Sequence, residues 1–392
     1  MTDILIIGGG ACGLLSSILL AQKGKTVTLL EQNSSFAKKL RVSGNGRCNI
    51  TNKSISEKSY HTNYHELLKN VLKNFTYHDS KKLFSSLGIE FFESEDGRVF
   101  PLSLDAKSVV DILTLQAENA GVKLELNTKV LDVSKTKEFT VMTDKQTFKA
   151  KKLVVCSGSF AYEKIGVSSV GYDIAKKFGH SLLDMFASLV QVECEDKFVQ
   201  KASGVKVDSQ VKLLVDGKVL KEVRGDLLFT NYGLSGLAIL DISYFVAKYH
   251  DKKLSLSVDL MPEFSQQELK ALLQKRLKLK DSLDFDSWLG SIINKKLIPL
   301  VATTKTLNNK TINQLSHNIK NLTITPKRVR DAKYAEIIAG GVDATEVDSK
   351  TLESKNCKGL YFGGEVLSVA GSRGGYNLHF AFGCAKKLAS TF

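Results

Sequence analysis

Ile4-Leu5-Ile6-Ile7-Gly8-Gly9-Gly10-Ala11-Cys12-Gly13-Leu14 is the stretch on which the reading of this fold turns. Four consecutive apolar residues with no polar alternation read as a buried parallel strand. Gly8, Gly10 and Gly13 follow in the pattern G-x-G-x-x-G, and Leu14 to Lys23 carries Leu and Ile on one face of a helix that Gly24 ends. Thr26-Val27-Thr28-Leu29-Leu30 supplies a second strand, with Glu31 at its end. In such a unit the first glycine permits a tight turn, the second lets backbone approach a pyrophosphate, and the third allows close helix–strand packing. The helix start offers unpaired N–H groups to phosphates, and a carboxylate at Glu31 suits ribose hydroxyls. The spacing predicts a dinucleotide-binding βαβ unit using Gly8, Gly10, Ala11, Cys12, Gly13, Glu31 and Gln32.

That fingerprint does not separate NAD from FAD; the other end of the chain does. Gly359-Leu360-Tyr361-Phe362-Gly363-Gly364-Glu365 reads as a buried strand ending in glycines and an acid. Glu365 beside Gly364 can hold a ribityl hydroxyl, a group FAD has and NAD lacks. Gly371-Ser372-Arg373-Gly374-Gly375-Tyr376-Asn377-Leu378 then leads into a last helix. Bare N–H groups at Gly374 and Gly375 would meet the pyrimidine edge of a flavin, where the helix dipole stabilises negative charge. Leu153-Val154-Val155-Cys156-Ser157-Gly158 is a third strand running into small residues, with Ser157 and Gly158 expected beside the cofactor. No second G-x-G-x-x-G follows a strand, so NADH or NADPH, as electron donor, would bind transiently.

The loop Lys38-Lys39-Leu40-Arg41-Val42-Ser43-Gly44-Asn45-Gly46-Arg47-Cys48-Asn49 sets cations among donor-rich side chains. It suits phosphate and flavin-edge recognition, with Lys39, Leu40, Ser43, Gly44, Arg47, Cys48 and Asn49 as expected contacts. Val130, opening a later strand, joins that set.

At 392 residues the chain exceeds one compact core. Six scattered cysteines without a C-x-x-C pair argue for reduced thiols in a cytoplasm and against a zinc site or redox disulfide. No apolar run reaches the ~20 residues of a bilayer span. Between Phe186 and Pro262 the pattern changes to short alternating strands, and helix-forming sequence follows. The expected plan is 1–185 as the N-terminal part of an FAD-binding domain, 186–262 as an antiparallel barrel, 263–325 as a helical subdomain, and 326–392 as the return. The net charge is +14, and Glu263 to Lys333 holds 14 Lys or Arg against 6 acids. A polyanionic partner fits that excess; so does a solvated helical surface.

With these residues quoted, the sequence resembles the BaiN/YhiN-like family of FAD flavoproteins. Further matching pieces are Thr51-Asn52, Gly97-Arg98-Val99-Phe100-Pro101, Leu228 to Gly236 with Tyr232, Gly340-Gly341-Val342 and Thr351 to Lys355. The resemblance implies an α/β fold: a split FAD-binding Rossmann-like domain of glutathione-reductase type with an inserted β-barrel and a small helical subdomain. The chain departs from the family pattern at Ser368, His379 and Cys156 to Ser159. Three functions follow as expectations. The first is NAD(P)H-linked reduction of a conjugated C=C bond, either in a small-molecule substrate or in a uridine of ribosomal RNA held by the basic segment. The second is an O2-using amine oxidase, and the third a flavin-bearing protein with vestigial redox activity. His379 and Tyr376 are the expected catalytic side chains.

Overall fold

The computed structural model describes residues 2–163 and 166–392, which fall into two compact units. The first joins both ends of the chain, Met1–Phe186 with Ile337–Phe392. Its sheet is built outward from Thr2–Ile7, which pairs in parallel with Val27–Leu30 on one side and Thr147–Val155 on the other. Lys123–Glu125 extends the sheet beyond Val27–Leu30, again in parallel. Leu360–Phe362 joins Thr147–Val155 from the far end of the chain, with Val155 level with Phe362. An antiparallel pair, Val130–Lys135 and Phe139–Thr143, completes the sheet.

The unbroken apolar runs explain this arrangement. Ile4, Leu5, Ile6, Leu153, Val154 and Val155 are all buried on both faces, as a covered parallel sheet demands. Burying each such side chain is worth roughly 1.5–3 kcal/mol before the entropy of ordering it is charged. On one face lie Ala11–Ala21 and the last helix, Tyr376–Thr391, which pack on each other. Because Ile7 is level with both Leu30 and Val155, four parallel strands end along one line: Leu30, Ile7, Val155, Phe362. The loops that leave these ends are therefore side by side, at the edge where open α/β sheets bind ligands.

The second unit is Ala187–Glu336. Its seven antiparallel strands run in spatial order from Leu322–Ile324 at one end to Pro326–Val329 at the other. Those two strands are neighbours in sequence, separated only by Thr325. The sheet is thus curled until its ends meet, and the seam of the barrel is the chain itself. Helices Leu237–Lys248, Gln266–Arg276, Phe285–Gly290 and Asn309–Lys320 close its core.

Two boundaries differ from expectation. Residues 263–325 are not a subdomain apart: Leu269, Trp288 and Ile312 share one core with Val211 and Leu256 of the sheet. Likewise Pro326–Val329 belongs to this sheet, pairing with Val192–Cys194, so the return to the first unit begins at Ile337 and not at 326. No helix among the described residues is long and apolar enough to cross a membrane.

Candidate flavin site at the strand ends

Gly8 leaves the first strand at φ +99°, and its N–H closes onto the Leu30 carbonyl at 2.9 Å. A Cβ there would sit 2.5 Å from the Cys156 carbonyl oxygen, and one on Gly13 only 1.9 Å from the Gly8 oxygen. Both positions are closed by protein. Gly10 is the opposite case: a Cβ would meet no atom within 4 Å. The helix it starts has no side-chain cap, so its first N–H groups face that open space. Gly158 opens onto space in the same way. Next to Gly158 the Ser157 hydroxyl is packed against Gly171, buried and without a hydrogen-bond partner among the described residues. A glycine corner with open space and uncapped donors fits a diphosphate.

Glu31 is 9% exposed and already engaged. It accepts from the Gly9 N–H at 2.9 Å, and from the Asn33 N–H and side-chain amide at 2.8 Å each. The carboxylate therefore braces the glycine corner as well as standing where a ribose would lie. Gln32 and Val130 share the wall of a cavity of about 510 Å³ with Lys129, Asp132 and Asp173.

At the far strand end, Glu365 receives Lys39 Nζ at 2.7 Å on both oxygens, the Ser159 hydroxyl at 2.6 Å and the Ile338 N–H at 3.4 Å. Lys39 and Glu365, 326 residues apart, are thus brought together. Beside them stands a residue the sequence did not single out. The Tyr172 hydroxyl is buried without a hydrogen-bond partner among the described residues; burial, then the Glu365 charge, pushes its pKa up and keeps it a neutral donor.

Not every expected contact points at the site. Leu40 and Cys48 are core residues, 2% and 0% exposed, and burial pushes the Cys48 thiol up to about 12. Cys12 is turned inward, its sulfur 3.3 Å from that of Cys156, so it can serve a ligand only through its backbone. The segment Lys38–Gly46 is a short helix broken at Ser43, Gly44 and Asn45, where the sequence read as a loop. Ser43 turns its hydroxyl to the Leu40 carbonyl. Arg47 is exposed and stacks over Phe100, its carbon 5.0 Å from the ring centre.

The last helix starts at Gly375, with φ +97° and again no side-chain cap. A Cβ there would lie 2.6 Å from the Thr51 carbonyl oxygen, so the helix start is pressed against Thr51–Asn52. Three bonds hold it: the Asn52 amide to the Gly374 carbonyl at 3.0 Å, the Tyr60 hydroxyl to the Tyr376 carbonyl at 2.9 Å, and Thr51 to His379 at 2.7 Å. Asn377 folds its amide back on Gly371, accepting at 2.7 Å and donating at 2.8 Å, and shapes the preceding loop. Leu378 is half-buried.

His379 is not the expected proton donor. It is fully buried, and its Nε2 lies 2.8 Å from the Phe75 carbonyl, which can only accept. Nε2 therefore carries the hydrogen, and Nδ1 accepts from the Thr51 hydroxyl. Burial lowers its pKa to about 4. The ring is a neutral tie between the last helix and two other segments. Ser368 is likewise inward, accepting from the Ala344 N–H and bonded to Asn63. Tyr376 remains at the site, half-buried, with its ring edge-on to Tyr60 at 5.9 Å.

The profile described as "HI0933-like protein Rossmann domain" matches residues 2–391. The chain is 34% identical to the 3-dehydro-bile acid delta(4,6)-reductase of Clostridium scindens, covering 97% of each chain. It is 31% identical to the ribosomal RNA dihydrouridine synthase of Haemophilus influenzae, covering 99% of this chain and 98% of that one. Among solved structures, a 3-ketosteroid-delta4-(5alpha)-dehydrogenase from Rhodococcus jostii RHA1 is similar at a TM-score of 0.48 and 12% identity. That alignment covers all of this chain and 96% of the other.

Proposed function

The chain belongs to the HI0933-like Rossmann family and is an FAD-dependent oxidoreductase, and from that premise we propose that it saturates a C=C bond conjugated with a carbonyl, in a uridine of RNA. The observation that carries this is the whole-chain likeness to two relatives whose activities share one kind of step. A delta(4,6)-reductase and a dihydrouridine synthase each add two electrons and two protons across a C=C bond, and in uracil the 5,6 bond is conjugated with the C4 carbonyl. The uridine is favoured over a steroid-like substrate by the +14 charge, +8 of which lies between Glu263 and Lys333.

FAD, when bound, supplies hydride chemistry; the chain supplies binding, orientation and exclusion of water. The helix start at Gly10, with Gly158 across the open space, would hold the diphosphate. Glu365, positioned by Lys39 and Ser159 and flanked by the neutral Tyr172 hydroxyl, would hold the ribityl hydroxyls. The helix start at Gly375 sets a positive dipole end where negative charge develops on reduction. Tyr376 would hand a proton to the substrate carbon next to the carbonyl, since His379 is committed elsewhere. NADH or NADPH would supply the hydride and leave as the oxidised nucleotide.

The test has two arms: without oxygen, the FAD-loaded protein is reduced with NADPH or NADH and mixed with unmodified ribosomal RNA or a 3-oxo-4,6-diene steroid; under air, the oxidised protein is given an amine and no nicotinamide. Dihydrouridine with one nicotinamide oxidised per site supports the reading. Steroid saturation alone removes RNA as substrate, and peroxide from the amine without nicotinamide replaces the reductase by an oxidase.

A further inference from the structure

The second unit holds two arginines against aromatic rings, and they are used differently. Arg276 lies over Trp288 at 5.9 Å and spends its guanidinium inside the protein, donating to the Trp288 carbonyl at 3.0 Å and the Ser291 hydroxyl at 2.7 Å. It is a packing residue, which removes it from the cations available to a partner. Lys320 is spent in the same way, on Asp259 at 2.6 Å and on the Met261 carbonyl at 2.9 Å.

Arg330 is not spent. Its guanidinium carbon lies 4.2 Å from the ring centre of Tyr232 and 3.6 Å from that of Tyr334. Among the described residues its side chain makes no hydrogen bond or ion pair with a carboxylate. The three residues come from separate places. Tyr232 sits in the turn between the strands Lys218–Phe229 and Gly233–Ser235, Arg330 just past the terminal strand Pro326–Val329, and Tyr334 at the end of the 3-10 turn Ala332–Tyr334. Backbone bonds fix each locally: Arg330 N–H to the Gln191 carbonyl at 2.9 Å, Tyr334 N–H to Asp331 at 2.9 Å, and Cys194 N–H to the Tyr232 carbonyl at 3.3 Å. Lys327, Arg328 and Lys333 are exposed on the same short segment. Arg328 is held in place by Glu193 at 2.8 Å.

A guanidinium oriented by two ring faces, with its N–H edge uncommitted, is built to take a planar or tetrahedral oxyanion without first paying rotamer entropy. Aromatic rings interleaved with cations at the end of a curled sheet are how unpaired nucleic acid is held: phosphates on the cations, bases on the rings. We infer that Tyr232, Arg330 and Tyr334, with Lys327 and Lys333 beside them, form an anchoring site for an unpaired stretch of RNA. The inference rests on the reading of an RNA uridine as substrate, and it assigns the holding of that RNA to a surface apart from the flavin residues in sequence.

The test uses the full FAD-loaded chain and a fluorescein-labelled RNA hairpin with a uridine-rich loop, followed by fluorescence anisotropy at several salt concentrations. Tyr232→Ala and Tyr334→Ala are expected to weaken binding about tenfold each, with the salt dependence unchanged, because they remove stacking. Tyr232→Phe and Tyr334→Phe are expected to bind like the parent. Lys327→Gln is expected to reduce the slope of log Kd against log salt by about one. Flavin content and reduction by NADPH serve as the check on folding. If either Ala variant is misfolded, Arg330→Lys takes its place: it keeps the charge, loses the planar edge and is expected to bind about tenfold more weakly. Parent-like binding by well-folded Ala variants, or by Arg330→Lys, overturns the anchor. Failure of the parent to form dihydrouridine while these variants still lose RNA overturns the reductase reading and leaves the anchor standing.

Discussion

Two helices of the first unit begin in the same way and serve different ends. Both Ala11–Ala21 and Tyr376–Thr391 start at a glycine with no side-chain cap. At Gly10 the missing Cβ leaves open space, whereas at Gly375 it makes room for the Thr51 carbonyl. The space at Gly10 is free for a ligand, and the space at Gly375 is filled by the protein's own chain. Uncapped helix starts are therefore not interchangeable indicators of a site: what occupies the Cβ position separates them.

Substitutions can break or sharpen that contrast. The largest effect is expected at the closed member of the first corner. Gly13→Val puts a side chain 1.9 Å from the Gly8 oxygen, and a loss of about 4 kcal/mol or more, seen as little soluble folded protein, is expected. Gly10→Val should do the reverse: thermal unfolding within about 1 kcal/mol of the parent, but FAD affinity down more than about 100-fold as the branched side chain fills the diphosphate space. A Gly10→Val protein that still takes up FAD at parental affinity would show that the open space is not the diphosphate's.

His379 sharpens the other side. His379→Ala removes two buried hydrogen bonds and the ring, and a cost of about 3 kcal/mol in urea unfolding is expected. The pH dependence carries a sign. A free histidine titrates at 6.5 and this one at about 4, so between those values the unfolded chain binds a proton the folded chain refuses. Stability attributable to His379 is level above pH 6.5 and falls as pH drops towards 4, by about 3 kcal/mol in all. In His379→Gln, which keeps one donor and one acceptor, that component of the acid loss should vanish. An identical acid profile in parent and variant would mean the ring is not held neutral.

A smaller effect is expected at Glu365→Gln, which weakens the pair with Lys39: FAD bound about tenfold less tightly, with unfolding little changed. The smallest is Tyr376→Phe, with FAD affinity retained and the rate of substrate reduction down roughly tenfold. An unaltered rate would leave the proton to solvent.

Much of this was readable in the chain. The βαβ opening, the returning strand and the glycines at both ends are local signals, because each depends on residues adjacent in sequence. What could not be read is commitment. The partners of His379, Thr51 and Phe75, lie 328 and 304 residues away, and nothing near position 379 announces them. The same holds for Tyr172, whose VGYD context reads as helix packing until Glu365 arrives beside it. The helix Leu237–Lys248 is not legible in the sequence, since its β-branched and aromatic residues, LAILDISYFVAK, resemble the strands around it; burial against the curled sheet decides it. The charge of the second unit was countable, but which cations are spent on carbonyls and carboxylates, as Arg276 and Lys320 are, is a matter of geometry.

The central claim is that the line of strand ends at Leu30, Ile7, Val155 and Phe362 carries one FAD, with its diphosphate at Gly10 and its ring at the last helix. Titration of flavin-stripped protein with FAD, followed by quenching of flavin fluorescence and by the visible spectrum, tests it most directly. One FAD per chain, with uptake abolished in Gly10→Val and preserved in His379→Gln, is the predicted result. A folded parent chain that stays colourless and takes up none contradicts the account.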